Sequence, residues 1–236
     1  MKRALKIVGG LLAALVVLAI GAAWYMLQPK AEDNPLPASL IALSTPEGQS
    51  MLARSVRADH DAVQPHFVAQ IYISYCGVAS SVAALNAVGL ELDQDGFFSD
   101  DAAAVQSRLG TMFGGMTLPT LAGLIAAHGV PAEARHADSF DVDGLRTLLR
   151  ENLARPGDVV LINYDRAGVD QPTGGHISPV VAYDAESDRA LILDTAVHRF
   201  PPVWARLDAI YGAMNTVDTS SGKRRGLVVV GPAEGA

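Results

Sequence analysis

Residues 70–87 read QIYISYCGVASSVAALNA, and the fold class turns on how this stretch is parsed. From Gly77 to Val88 the chain is small and apolar, with Val78, Ala79, Val82, Ala83, Ala84 and Leu85. That pattern predicts a buried helix ending near Gly89. Cys76 then stands immediately before the helix, with its sulfur at a helix N-terminus. Unpaired N–H groups and the macrodipole favour a thiolate there. Cys76 is the only cysteine in the chain. A lone cysteine is commonly an inert small hydrophobe; this position gives equal weight to a nucleophile.

On both sides of this stretch the pattern is that of an α+β domain. Thr45-Pro46-Glu47 opens a helix running toward Arg57, and Thr117 to His128 and Asp141 to Asn152 are further helical stretches. After residue 157 the character changes. Asp158 to Asn163 (DVVLIN), Ile177 to Tyr183, Ala190 to Leu193 and Gly226 to Val230 (GLVVV) read as strands, with a helical interlude from Trp204 to Met214. Helices first and strands afterwards predict two lobes with a groove between them.

A nucleophilic cysteine needs a base. His60, His66, His128, His136 and His198 stand in polar or segment-end contexts and read as surface residues. His176 follows Gly174-Gly175 and begins the run HISPVV, the start of a core strand. The glycines permit close approach of a ligand or another backbone. Eighteen residues on, LILD ends the next strand at Asp194. If these strands form a hairpin with Asp184 to Arg189 in the turn, Asp194 falls beside His176. It then accepts a hydrogen bond from the ring and fixes its tautomer. A cysteine on a helix, with histidine and aspartate on adjacent strands, is the papain-like order. Gln70, six residues before Cys76, stands where such enzymes keep an oxyanion donor beside the Cys76 backbone N–H.

The chain has 236 residues, half of them apolar, with 18 Lys and Arg against 25 Asp and Glu and a formal net charge of −7. The acidic balance argues against a nucleic-acid partner, and one cysteine excludes an internal disulfide framework. No HExxH, GxSxG or phosphate-binding glycine loop occurs, so no metal and no cofactor is expected. Ile7 to Leu27 is an uncharged run preceded by Lys2, Arg3 and Lys6. As a helix it spans roughly 31 Å, about one hydrocarbon core. Residues 1–27 are therefore a signal anchor or a cleaved signal peptide, 28–40 a linker, and 41–236 the catalytic domain. The basic start places that domain outside the cytoplasm, anchored in the inner membrane facing the periplasm or free in the periplasm after cleavage. The sequence is silent on oligomeric state, and a homodimer is compatible with it.

Three blocks resemble the phytochelatin synthase family: QIYISYCGVASS (70–81) continuing to Leu85-Asn86-Ala87, QPTGGHISP (171–179), and LDTA (193–196) followed by FPPVW (200–204). The resemblance implies a papain-like two-lobed cysteine peptidase fold and action on glutathione. The cysteine would attack the Cys–Gly carbonyl, release glycine and hold a γ-glutamylcysteinyl thioester, resolved by water or a second glutathione. Carried over, Cys76 is the nucleophile, His176 the base and acid, Asp194 the orienting partner and Gln70 the oxyanion donor. Asp218 and Arg225, with Gly175, match positions near the family's substrate site, suited to the amino and carboxylate groups of the γ-glutamyl moiety. Two departures stand out. The plant enzymes carry an arginine where this chain has Val197, and a Cys-rich C-terminal extension that this sequence lacks. The second implies no metal response, and hydrolysis over phytochelatin synthesis. Two other readings stay open: an exported papain-like peptidase on another substrate, and a non-catalytic thiol-peptide binding module.

Overall fold

The computed structural model describes residues 2–231. A long helix, α1 (Lys2–Leu27), leads into a short strand β1 (Ile41–Ala42) and the helices α2 (Pro46–Arg54), α3 (Ala58–Val63), α4 (Cys76–Ala87), α5 (Asp100–Val105), α6 (Arg108–Gly114) and α7 (Leu118–Ala126). Then come β2 (Ala132–His136), α8 (Val142–Asn152), β3 (Val159–Asp165), β4 (Gly175–Asp184), β5 (Arg189–Ile192) and β6 (Val203–Arg206). The chain closes with α9 (Leu207–Met214), β7 (Val217–Asp218), β8 (Lys223–Arg224) and β9 (Gly226–Val230). Seven strands form one antiparallel sheet in the order β1-β6-β5-β4-β3-β9-β2, and β7 pairs with β8 apart from it.

The sheet is apolar on both faces because helices cover both. Val159 and Leu161 of β3, with Val228 and Val230 of β9, join a core built with α4 and α7. Their neighbours Val160, Ile162, Tyr164 and Leu227 join a second core under α8 and α9. Period-two alternation sends successive residues to opposite faces, so a strand buried on both sides reads as an uninterrupted apolar run. Helix starts are chemically marked: Thr45 Oγ1 accepts from Gly48 N–H at 3.0 Å and Asp141 Oδ1 from Gly144 N–H at 2.8 Å.

The run 204–214 departs from the expected helix. Its first residues belong to β6, and α9 begins only at Leu207. Trp204 pairs across the sheet with Leu191 and Ile41, and its indole N–H donates to the Gly48 carbonyl at 3.1 Å. Burial of this large ring against two strands outweighs the helical pattern that follows it.

Within α1, Gly9–Leu27 is long and apolar enough to cross a membrane. Its far end touches the domain. Trp24 packs edge-on against Tyr72 with ring centroids 5.5 Å apart, and Ile73 N–H donates to the Leu27 carbonyl at 3.0 Å.

Candidate functional site

Cys76 is the first residue of α4, and the side chain of Tyr75 before it does not cap the first turn. The early N–H groups of a 12-residue helix thus lack a side-chain partner around the sulfur. Small residues let α4 press flat against the sheet, where Ser80 Oγ donates to the Ile177 carbonyl of β4 at 3.0 Å. At Gly77 a Cβ would lie 2.4 Å from the Met116 sulfur and 3.1 Å from the Ile177 side chain of β4, so a larger residue would make these side chains give way. This docking sets the cysteine-bearing helix against the histidine-bearing strand.

His176, opposite Tyr164 in the β3–β4 register, is buried, with the Tyr164 ring edge-on at 5.7 Å. The β4–β5 hairpin turns between Asp184 and Arg189 as expected. Its open end brings the Asp194 carboxylate to the ring, where His176 Nε2 donates to Oδ1 at 2.8 Å. With Nε2 engaged, Nδ1 is the nitrogen left for the thiol.

The charges reinforce one another. Burial pushes the Cys76 thiol up, but the His176 charge, hydrogen bonds from His176 and the Ile177 N–H, and the Arg166 charge together hold it below the ordinary thiol value. Burial pushes His176 down, yet Asp194 and the Cys76 thiolate carry it above the ordinary imidazole value despite Arg166. Asp194 is fully buried, which alone would raise it; His176 and Arg166 hold it far below the usual carboxylate range. Both shifts act in the direction of a thiolate beside an imidazolium.

Arg166 went unread in the sequence. It is almost fully buried and grips Asp194 through two bonds, Nη1 to Oδ2 at 2.7 Å and Nη2 to Oδ1 at 2.8 Å, while Nη1 also donates to the side-chain Oε1 of Gln171. The Ala196 N–H adds a bond to Oδ1 at 2.9 Å. An arginine just after a strand carries no signal of burial; the signal was a buried aspartate that needs a partner besides His176.

A cleft of about 550 Å³ opens over Cys76 and His176, and Gln70, Gly175, Asp218 and Arg225 line it too. Asp194 lies behind His176, outside the lining. Both N–H groups of the Gln70 amide are engaged, donating to the Tyr72 and Ile73 carbonyls at 2.9 Å each. An oxyanion role requires one of them to turn away. Asp218 lies in β7, and its Oδ1 accepts from Ser220 N–H at 3.0 Å. In the basic run 223–225 only Arg225 is buried. Its Nη1 donates to Thr216 Oγ1 and the Val217 carbonyl at 3.0 and 2.8 Å, and its Nε has no partner. Gly175 makes room for this guanidinium, because a Cβ there would lie 3.2 Å from Nη2.

Glu32, His198 and Arg199 are among the other residues that line the cleft. His198, read as a surface residue, is partly buried there, and burial lowers its pKa. Arg199 Nε donates to Glu32 Oε2 at 3.0 Å.

A cysteine and a histidine backed by a buried carboxylate, in a cleft that also holds charged side chains, are equipped for acyl transfer through a thioester. The comparisons agree with that chemistry. Residues 31–227 match the family model described as Phytochelatin synthase, and the chain belongs to that family. It is 26% identical over 202 residues to glutathione gamma-glutamylcysteinyltransferase 3 of Lotus japonicus, covering 80% of this chain and 42% of the relative. Against glutathione gamma-glutamylcysteinyltransferase 1 of Arabidopsis thaliana it is 29% identical over 176 residues, 70% of this chain and 35% of the relative. The glutathione gamma-glutamylcysteinyltransferase of Schizosaccharomyces pombe is 22% identical over 210 residues, 84% of this chain and 50% of the relative. The chain thus spans half or less of the length of these relatives.

Proposed function

We propose that this protein is a papain-like thiol hydrolase and acyltransferase that cleaves the Cys–Gly bond of glutathione, mainly to glycine and γ-glutamylcysteine. Cys76 attacks the carbonyl carbon of that bond as a thiolate. His176, protonated and held in place by Asp194, gives its proton to the departing glycine amine, leaving a γ-glutamylcysteinyl thioester on Cys76. A water molecule loses a proton to His176 and attacks the thioester; the acid departs and the thiolate–imidazolium pair returns. A second glutathione in place of water gives a phytochelatin. The Cys76 backbone N–H, with Gln70 after it releases one carbonyl, receives the oxyanion. Asp218 and Arg225 bind the amino and carboxylate groups of the γ-glutamyl end.

The observation that carries this reading is the hydrogen-bonded His176–Asp194 pair meeting Cys76 in the cleft that also holds Asp218 and Arg225. In the same reading residues 41–236 are the catalytic domain, 28–40 the linker, and the apolar helix an anchor or export signal that keeps the domain on the periplasmic side. The test is rapid acid quench of the protein with glutathione, followed by mass spectrometry. A γ-glutamylcysteinyl adduct on the peptide containing Cys76 is expected; turnover with an adduct elsewhere overturns the assignment.

A further inference from the structure

The cleft has more positive charge than the γ-glutamyl end requires. Arg166 is committed to Asp194 and Gln171. Arg225 stands with Asp218, as a zwitterionic head group needs. Arg199 is left, and its charged partner is Glu32, a carboxylate from the segment that joins α1 to the domain. That segment is seated at this point, because Glu32 N–H donates to the His198 carbonyl at 2.8 Å and Asn34 Nδ2 steadies the Glu32 carboxylate at 2.8 Å.

The sheet order separates the two arginines. His176 begins β4. Arg225 immediately precedes β9, two strands away on the β3 side, whereas Arg199 lies between β5 and β6 on the opposite side. Arg225 thus reaches the cleft from the β3–β9 side, with its Nη2 close to Gly175, and Arg199 from the β5–β6 side. Glutathione has the matching order: a zwitterionic γ-glutamyl head, the scissile carbonyl, then a glycine bearing a lone carboxylate.

We propose that Arg199 binds the glycine carboxylate of the substrate, and that this carboxylate displaces Glu32 from Arg199. The inference rests on the glutathione reading above and names a second anion subsite for it. The exchange is easy because Glu32 and Arg199 side chains remain 43% and 25% exposed, and an ion pair so open to water is worth little. One carboxylate replaces another with no net change in buried charge. Once the Cys–Gly bond breaks, glycine is held only through this end, and return of Glu32 favours its departure.

The test uses the full chain with Cys76→Ala, so that ligand binds without turnover, and calorimetry with glutathione and with its glycine amide. The acid is expected to bind about tenfold tighter than the amide, through one charge-assisted contact. Arg199→Gln brings that ratio to near one by weakening the acid alone, Arg199→Lys keeps part of it, and Glu32→Gln tightens the acid. Circular dichroism checks that each variant is folded. An unchanged ratio in Arg199→Gln, or no preference for the acid at all, overturns the proposal. Glycine release by the wild-type chain is measured alongside. Release with an unmoved ratio removes the Arg199 subsite and leaves the hydrolase. No release with a ratio that collapses in Arg199→Gln removes the hydrolase and leaves the carboxylate site.

Discussion

His176 Nε2 lies 2.8 Å from Asp194 Oδ1, and the same carboxylate is gripped from behind by both Nη atoms of Arg166. Asp194 is therefore the shared anion of two cations, in a place with no access to water. That arrangement holds the imidazole in one tautomer. It also spreads a positive field to the sulfur, since Arg166 lowers the pKa of Cys76 as His176 does.

Arg166→Gln removes one cation and leaves a buried carboxylate partly unpaired. A loss of about 3–5 kcal/mol is expected in urea unfolding, the usual cost of breaking a buried pair from one side. The same variant raises the pKa of Cys76 and of His176, because Arg166 lowers both. Thiol titration separates this from a purely structural effect, which would leave the Cys76 pKa in place.

Reaction of Cys76 with iodoacetamide should follow thiolate content and proceed below the pH range of ordinary thiols, as its lowered pKa requires. His176→Ala shifts that profile to higher pH. In the intact protein glycine release should rise as Cys76 ionises and fall as His176 loses its proton, with apparent values belonging to the pair. A profile flat from pH 5 to 9 under single-turnover conditions contradicts the pairing.

Asp59 is wholly buried, and burial with the nearby Asp158 charge pushes its pKa up to about 8 against a backbone hydrogen bond from Val160. A folded-state pKa above the unfolded value means stability is fullest below roughly pH 4 and declines up to about pH 8. Asp59→Asn should raise Tm by several degrees at pH 8 and by little at pH 5. Asp194 has the opposite sign: its lowered pKa adds stability above the unfolded carboxylate value, lost as pH falls. Acid unfolding of Asp194→Asn should accordingly be less steep.

Gly175→Ala sets a Cβ 3.2 Å from Arg225 Nη2 on a strand that tolerates alanine, so the guanidinium must move while the sheet stays. The expected result is a KM for glutathione raised about tenfold, one charge-assisted contact impaired. Tm should change by no more than a few degrees.

Much of this site was legible because its chemistry depends on local pattern. An apolar run after Cys76 marks the helix, and two short β-rich runs around a turn bring Asp194 back to His176. What stayed hidden depends on contacts distant in sequence. Arg166 looks like any loop arginine until Asp194 is seen to need a second partner. Glu32 sits in a proline-rich linker whose seating on His198 and Arg199 leaves no periodicity. Edge strand β2 was missed because its sequence, AEARH, has only alanines to face the core. Trp204 was assigned to a helix by its neighbours and to a strand by the size of the space it fills.

The central claim is that Cys76 carries the γ-glutamylcysteinyl group during cleavage of the Cys–Gly bond. Its most direct test is incubation of the full chain with glutathione, quantifying glycine and γ-glutamylcysteine by mass spectrometry beside Cys76→Ala. The account predicts the two products in equal amounts from the wild type and neither from the variant; a γ-glutamylcysteine-extended peptide would mark the share passed to a second thiol. Glycine released by folded Cys76→Ala at the wild-type rate, or none released by a folded wild type, would contradict it.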